Sequence, residues 1–117
     1  MVSISVIDRV GTTELPGFSW DWKGVDRCTA RLLIEERLRT ETERAARDIP
    51  ASRFLLELSG GLDGFTDQLA ERAFAAFTAG KLLLIVNDAQ VTDLDEEIPL
   101  HTANEAVFFK LVPLQGG

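Results

Sequence analysis

The segment AVFFKLV, residues 106–112, constrains this chain more than any other stretch of it. Read with a period of two, Val107, Phe109 and Leu111 fall on one face and Phe108 and Val112 on the other, so neither face is polar. A strand of that kind belongs in the middle of a sheet with material packed on both sides. Pro113 follows at once and has no N–H to give to a ladder, so pairing is expected to end there. LLLIV, residues 82–86, is apolar at every position too and reads as a second buried strand, closed by an Asn87-Asp88 turn.

The start of the chain has a different pattern. SISVIDRV, residues 3–10, sets Ile4 and Val6 among polar partners, and Gly11-Thr12-Thr13 is turn chemistry. In GFSWDWKG the side chains of Phe18, Trp20 and Trp22 are two apart and share a face. Together these segments predict a β-hairpin whose tryptophans cover the core instead of stacking on a ligand. From Thr29 the period becomes helical: Ala30, Leu33, Ile34, Leu38 and Ala45 recur at steps of three and four. Glu35 and Arg39, and Glu43 and Arg47, are one turn apart, and this charge run is expected to be a solvated face. Asp26 or Thr29 caps the helix, which stops before Pro50.

PASRFLLEL reads equally well as a helical turn begun by Pro50 or as a short strand, and both readings stand for residues 51–58. A second helix follows SGGLDG, with Leu69, Ala73, Phe74 and Phe77 on one side and Gly80 where a left-handed residue would end it. The short segment AQV, an acidic loop TDLDEE, the apolar pair Ile98 and Leu100, and polar TANE lead to the final strand.

At 117 residues, with 45% hydrophobic and 26% charged, the chain is expected to be one globular domain, 1–117. The formal net charge is −7 and the pI about 4.6, a field that repels a phosphate backbone and argues against nucleic acid as a partner. No apolar run is long enough to cross a bilayer and the first residues lack the pattern of a secretory leader, so a cytoplasmic setting is expected, with no membrane partner. Cys28 is the single cysteine, which excludes an internal disulfide and a thiolate cluster. A reactive Cys28 at the helix start is one reading, an inert half-buried thiol the other. His101, in a polar turn, has no neighbour in sequence that makes it a ligand or a base.

Hairpin, helix, strand, short strand and central final strand is the order of a β-grasp domain, an α+β fold in which a mixed sheet wraps one helix and the last strand lies beside the first. Residues 86–117, VNDAQVTDLDEEIPLHTANEAVFFKLVPLQGG, resemble the C-terminal half of the ubiquitin-like sulfur carriers, the small subunit of molybdopterin synthase and the thiamine-pathway carrier. The shared features are a "VN" strand end, a D-L-D acidic loop, a proline or leucine step, a polar turn, a "V-x-F" strand, a proline and a terminal Gly-Gly. The departure is an insertion over about residues 48–80, which contains SGGLDG and the second helix and thickens a place that a minimal carrier fills with a short connection.

The resemblance implies a carrier protein and not an enzyme, with no bound cofactor. Its partners would be an E1-like adenylating enzyme, which uses ATP and magnesium, and a sulfur-accepting enzyme. The reactive group would be the carboxylate of Gly117, with Gly116 before it, at the end of a flexible tail over residues 113–117. Glycine suits such a tail because it has no Cβ to strike the walls of a narrow channel. Pro113, which helps hold the tail off the sheet, Leu114 and Gln115 would contact the partner, with the tail extended in its channel. Asp93, Asp95, Glu96 and Glu97 read either as an acidic docking patch for a basic enzyme or as a solvated loop. Phe108 is counted among the partner-facing candidates, although its pattern fits the core as well.

Two other readings compete. SGGLDG, residues 59–64, resembles the S-G-G-x-D-S pyrophosphate loop of ATP pyrophosphatases, with Gly64 where that loop has serine. It also reads as a helix end and turn. A β-grasp domain can also act purely as a binding adaptor, its tail inert. Oligomeric state and the choice between sulfur transfer and protein conjugation are not written in the sequence.

Overall fold

A computed structural model describes residues 2–15, 17–22, 28–46, 55 and 67–111. Among these residues the fold is α+β, a mixed sheet of six strands with two helices. In chain order the elements are β1 (Val2–Val10), β2 (Thr13–Leu15), β3 (Ser19–Trp22), α1 (Ala30–Ala46), α2 (Asp67–Thr78), β4 (Leu82–Val86), β5 (Ala89–Val91) and β6 (Ala103–Lys110). The strand order across the sheet is β2-β1-β6-β4-β5, and β3 also pairs with β1.

The central position of β6 follows from its composition. It runs parallel to β1, from Ser3 opposite Ala103 to Val10 opposite Lys110, and antiparallel to β4, where Leu84 faces Phe108. Its inward residues, Asn104, Ala106 and Phe108, meet Ile4, Val6 and Asp8 of β1 and Leu84 and Val86 of β4. The parallel β1–β6 pair needs a long crossover, and the helices supply it.

The first hairpin returns in two pieces. β2 pairs with the far end of β1, Asp8–Val10, and β3 with the near end, Val2–Ser5. Between them Gly17 lies so close to β1 that a Cβ there would stand 1.5 Å from the carbonyl oxygen of Val6. Only glycine fits that approach. Val6 N–H then donates to the Phe18 carbonyl at 2.7 Å, and the chain resumes as a strand. The ring of Phe18 meets Trp20 edge-on at 5.1 Å and Trp20 meets Trp22 at 5.8 Å, the shared face that their spacing predicts. Trp20 Nε1–H donates to Thr40 Oγ1 at 3.1 Å, which ties this aromatic row to α1.

Helix α1 is capped by Thr29, whose Oγ1 accepts the Leu32 N–H at 3.2 Å while its carbonyl accepts the first intrahelical bond from Leu33. Leu33, Ile34 and Leu38 are fully buried against the sheet. Each such side chain contributes about 1.5–3 kcal/mol by leaving water. Helix α2 buries Leu69, Ala70, Ala73, Phe74, Ala76 and Phe77 in the same core. Gly80, at φ 79°, ends it: Gly80 N–H reaches Phe77 and Lys81 N–H reaches Ala76, which satisfies two terminal carbonyls before β4 begins. Asn87 (φ 50°) and Asp88 (φ 70°) make the two-residue β4–β5 turn in the left-handed conformation that such hairpins require. Among the described residues no helix is long and apolar enough to cross a membrane.

Candidate functional site

Any function of the last residues depends on where β6 delivers them. The Lys110 carbonyl accepts the Gly11 N–H at 3.3 Å, and Leu111 N–H donates to the Lys81 carbonyl at 3.2 Å. The chain therefore remains paired on both sides to the edge of the sheet and leaves it between the β1–β2 turn and the start of β4. Leu111 is 46% exposed at that point. Pro113, Leu114, Gln115, Gly116 and Gly117 lie outside the described residues, as do SGGLDG and the candidate cap Asp26.

Phe108 is not a contact residue. It is fully buried on the helix side of β6, with the Arg37 guanidinium 4.8 Å from its ring centre, so the partner-facing role is withdrawn in favour of the core. The other face of the sheet is apolar in its own right. Ile7, Val107 and Ile85 are aligned across β1, β6 and β4, and Phe109 and Leu83 are aligned one pair nearer the exit. Val107 is buried and the other four are half-buried. Arg9, bonded to Glu14 at 3.1 and 3.2 Å, and Glu105 flank this row.

The acidic loop lies beyond edge strand β5, two strands from β6, and much of it is engaged within the chain. Asp93 Oδ1 accepts the Asp95 N–H at 2.9 Å and so shapes the loop. Asp95 makes a two-point contact with Arg31, at 2.9 and 3.2 Å, which holds its carboxyl below the ordinary range and the guanidinium above its own. The Leu94 carbonyl accepts the Arg31 N–H at 2.9 Å, Ile98 N–H donates to the Cys28 carbonyl at 2.7 Å, and Thr29 bridges Glu97. These bonds seat the loop on the first turn of α1, where carboxylates also meet the positive end of the helix dipole. Glu96, Glu97, Pro99 and His101 line a shallow groove of about 170 Å³ against β5. Asn104 accepts the His101 N–H at 2.8 Å and donates to its carbonyl at 2.8 Å, which fixes the backbone of that turn. Among the described residues no three His, Cys, Asp or Glu side chains are grouped as metal ligands.

The charge run of α1 is not wholly a solvated face. Arg37 and Glu41 are buried to within 1% of complete, together with Asp8 of β1. Arg37 Nε donates to Glu41 Oε2 at 2.7 Å, Nη2 donates to Asp8 Oδ2 at 2.6 Å, and Nη1 donates to the other Asp8 oxygen. Both oxygens of Glu41 accept the Leu55 N–H, each at 3.1 Å. The guanidinium lies over the rings of Phe18, at 5.3 Å, and Phe108. The signal for this cluster is phase. Positions 37 and 41 continue the buried stripe of Ala30, Ile34 and Leu38, and Asp8 continues the inward series of Ile4 and Val6. A charge in phase with a core stripe is a buried charge, and opposite charges one turn apart satisfy each other there.

Cys28 is fully buried and its thiol is pushed up to about 12 by that burial, so the inert reading of the pair holds. Among the described residues, buried Trp22 Nε1 meets no hydrogen-bond partner.

Comparison with known protein families, with curated proteins and with solved structures finds no significant match to this chain.

Proposed function

We propose that the chain is a ubiquitin-like (β-grasp) carrier or modifier that acts through the carboxylate of Gly117, activated by a separate adenylating enzyme. One observation carries the reading: the last strand is central, parallel to the first, and paired on both sides up to the residue at which the chain leaves the sheet. That arrangement gives whatever follows Leu111 a firmly held point of departure at the edge of the sheet. A mixed sheet entered by a hairpin, crossed by helices and finished by a central strand is the plan that the β-grasp reading requires.

In this reading a carboxylate oxygen of Gly117 attacks the α-phosphorus of ATP held by the partner, and pyrophosphate leaves. A persulfide then attacks the acyl carbon and AMP leaves; a thiolate attacks the outer sulfur of the resulting acyl disulfide, so that a new disulfide forms and the thiocarboxylate leaves. An amine attacking the same carbon gives an amide instead. The carrier contributes reach and a slender end, and the partner contributes the electrostatic stabilisation of the transition state. The apolar row of Ile7, Leu83, Ile85, Val107 and Phe109 lies beside the exit and offers the partner a surface on which to seat. The cytoplasmic setting belongs to the same proposal.

Intact mass of the protein recovered from its own cells tests it. A gain of about 16 Da, lost when Gly117 is deleted, marks replacement of oxygen by sulfur; a larger adduct through Gly117 marks conjugation. An unmodified mass under all growth conditions, with partner binding unchanged by the deletion, refutes the carrier reading in favour of an adaptor.

A further inference from the structure

We propose that Asp8, Arg37 and Glu41 form one joint that couples the backbone at Leu55 to the exit end of the central strand, so that the two open together. The inference does not depend on the carrier reading. The joint is continuous in hydrogen bonds: Leu55 N–H to Glu41, Glu41 to Arg37 Nε at 2.7 Å, and both terminal nitrogens of Arg37 to Asp8. Asp8 lies opposite Phe108 in the parallel ladder, and the Arg37 guanidinium also covers the Phe108 ring. Lys110, two residues on, is the last of the strand.

The coupling follows from the shape and charge of the guanidinium. It is a rigid planar fork, and here Nε serves one carboxylate and the two terminal nitrogens serve the other. A tilt that releases Glu41 disturbs the geometry toward Asp8. Losing a charge-assisted bond at this depth costs more than losing an exposed one, so half-broken states are disfavoured. Leu55 is itself fully buried in the core, so its movement also changes core packing. A ligand or protein that displaces Leu55 would then be felt where the chain leaves the sheet, with no contact of its own there.

Native-state hydrogen exchange of the wild-type protein in rising urea tests the joint. The amides of Leu55, Phe108 and Phe109 are expected to share one opening free energy and one urea slope, below those of Ile4 at the other end of the sheet. Opening of Leu55 alone at lower urea, or opening of all of these amides only with the whole sheet, overturns the proposal. Glu41→Gln keeps the shape and removes the charge. It should raise exchange at Leu55, Phe108 and Phe109 by a common factor of about tenfold, as exchanging a charged acceptor for a neutral one implies, and leave Ile4 nearly unchanged. A rise confined to Leu55 or uniform over the sheet is the contrary result, and if the variant does not fold the wild-type profile decides.

Discussion

Replacing Arg37 with methionine separates a structural charge from an accidental one. The side chain is fully buried, and so are the two carboxylates it serves. Methionine fills similar volume and keeps contact with Phe18 and Phe108, so little of the loss comes from packing. What is lost is the guanidinium's bonds to two buried carboxylates, about 3–5 kcal/mol when one partner of a buried pair is removed. The two cation–π contacts add about 0.5–2 kcal/mol each. A domain of this size is stable by about 5–15 kcal/mol in total, so the single variant should be close to unfolding at 37 °C. Adding Asp8→Val and Glu41→Leu removes the two carboxylates. It leaves the Leu55 N–H without its acceptor, about 1–3 kcal/mol against the triple variant, and gains about 1–4 kcal/mol from replacing ions with apolar groups. The triple variant should therefore lie near the wild type although it carries the damaging change. Urea unfolding followed by the fluorescence of Trp20 and Trp22 measures all three proteins, with equal m-values as the check that one transition is compared. A loss below about 1 kcal/mol in Arg37→Met, or a triple variant no better than the single, refutes the reasoning.

Other outcomes follow from single contacts. Gly17→Ala sets a methyl group 1.5 Å from the Val6 carbonyl oxygen and 2.5 Å from its carbon, both backbone atoms, so strand β3 must lift from β1; the urea midpoint should fall by the equivalent of about 3 kcal/mol or more. Buried Cys28, with its thiol raised to about 12 from 9.0, should resist a thiol reagent at pH 8 in the native protein and react at once in denaturant. Because the folded value is the higher one, this thiol's contribution to stability is complete below about pH 9 and falls as pH rises from there toward 12, by about 1.4 kcal/mol per unit; Cys28→Ser should flatten that alkaline limb. Asp95 should titrate below 3.8 by NMR and return to the ordinary carboxylate range in Arg31→Ala; an unchanged midpoint would mean that the pair does not persist in solution.

Much of the fold was legible because hydrophobic phase reports local structure. The double-sided apolarity of 106–112 placed β6 at the centre, the aromatic series at 18, 20 and 22 gave a shared inward face, and Gly80 closed α2 where a left-handed residue was needed. The same reasoning failed at Phe108, where a residue of a central strand was also counted as a contact surface. It failed at Arg37 and Glu41 because residue type was allowed to outweigh phase. The choice between Asp26 and Thr29 as cap rested on which oxygen meets an amide, and Thr29 does. For the candidate site, sequence indicated an acidic loop and a diglycine, while the engagement of Asp93 and Asp95 within the chain was out of its reach.

Periodicity along the chain was enough to specify strands, helices, their inward faces and the central place of the last strand, since each of these depends on neighbours a few residues apart. Which elements meet was decided by tertiary structure alone. Asp8 and Arg37 are 29 positions apart, and Arg31 and Asp95 are 64 apart. Nothing local couples such residues. Their pairing comes from the way the sheet and α1 pack, and the low dielectric between those layers turns two charges that water would keep apart into a buried bond.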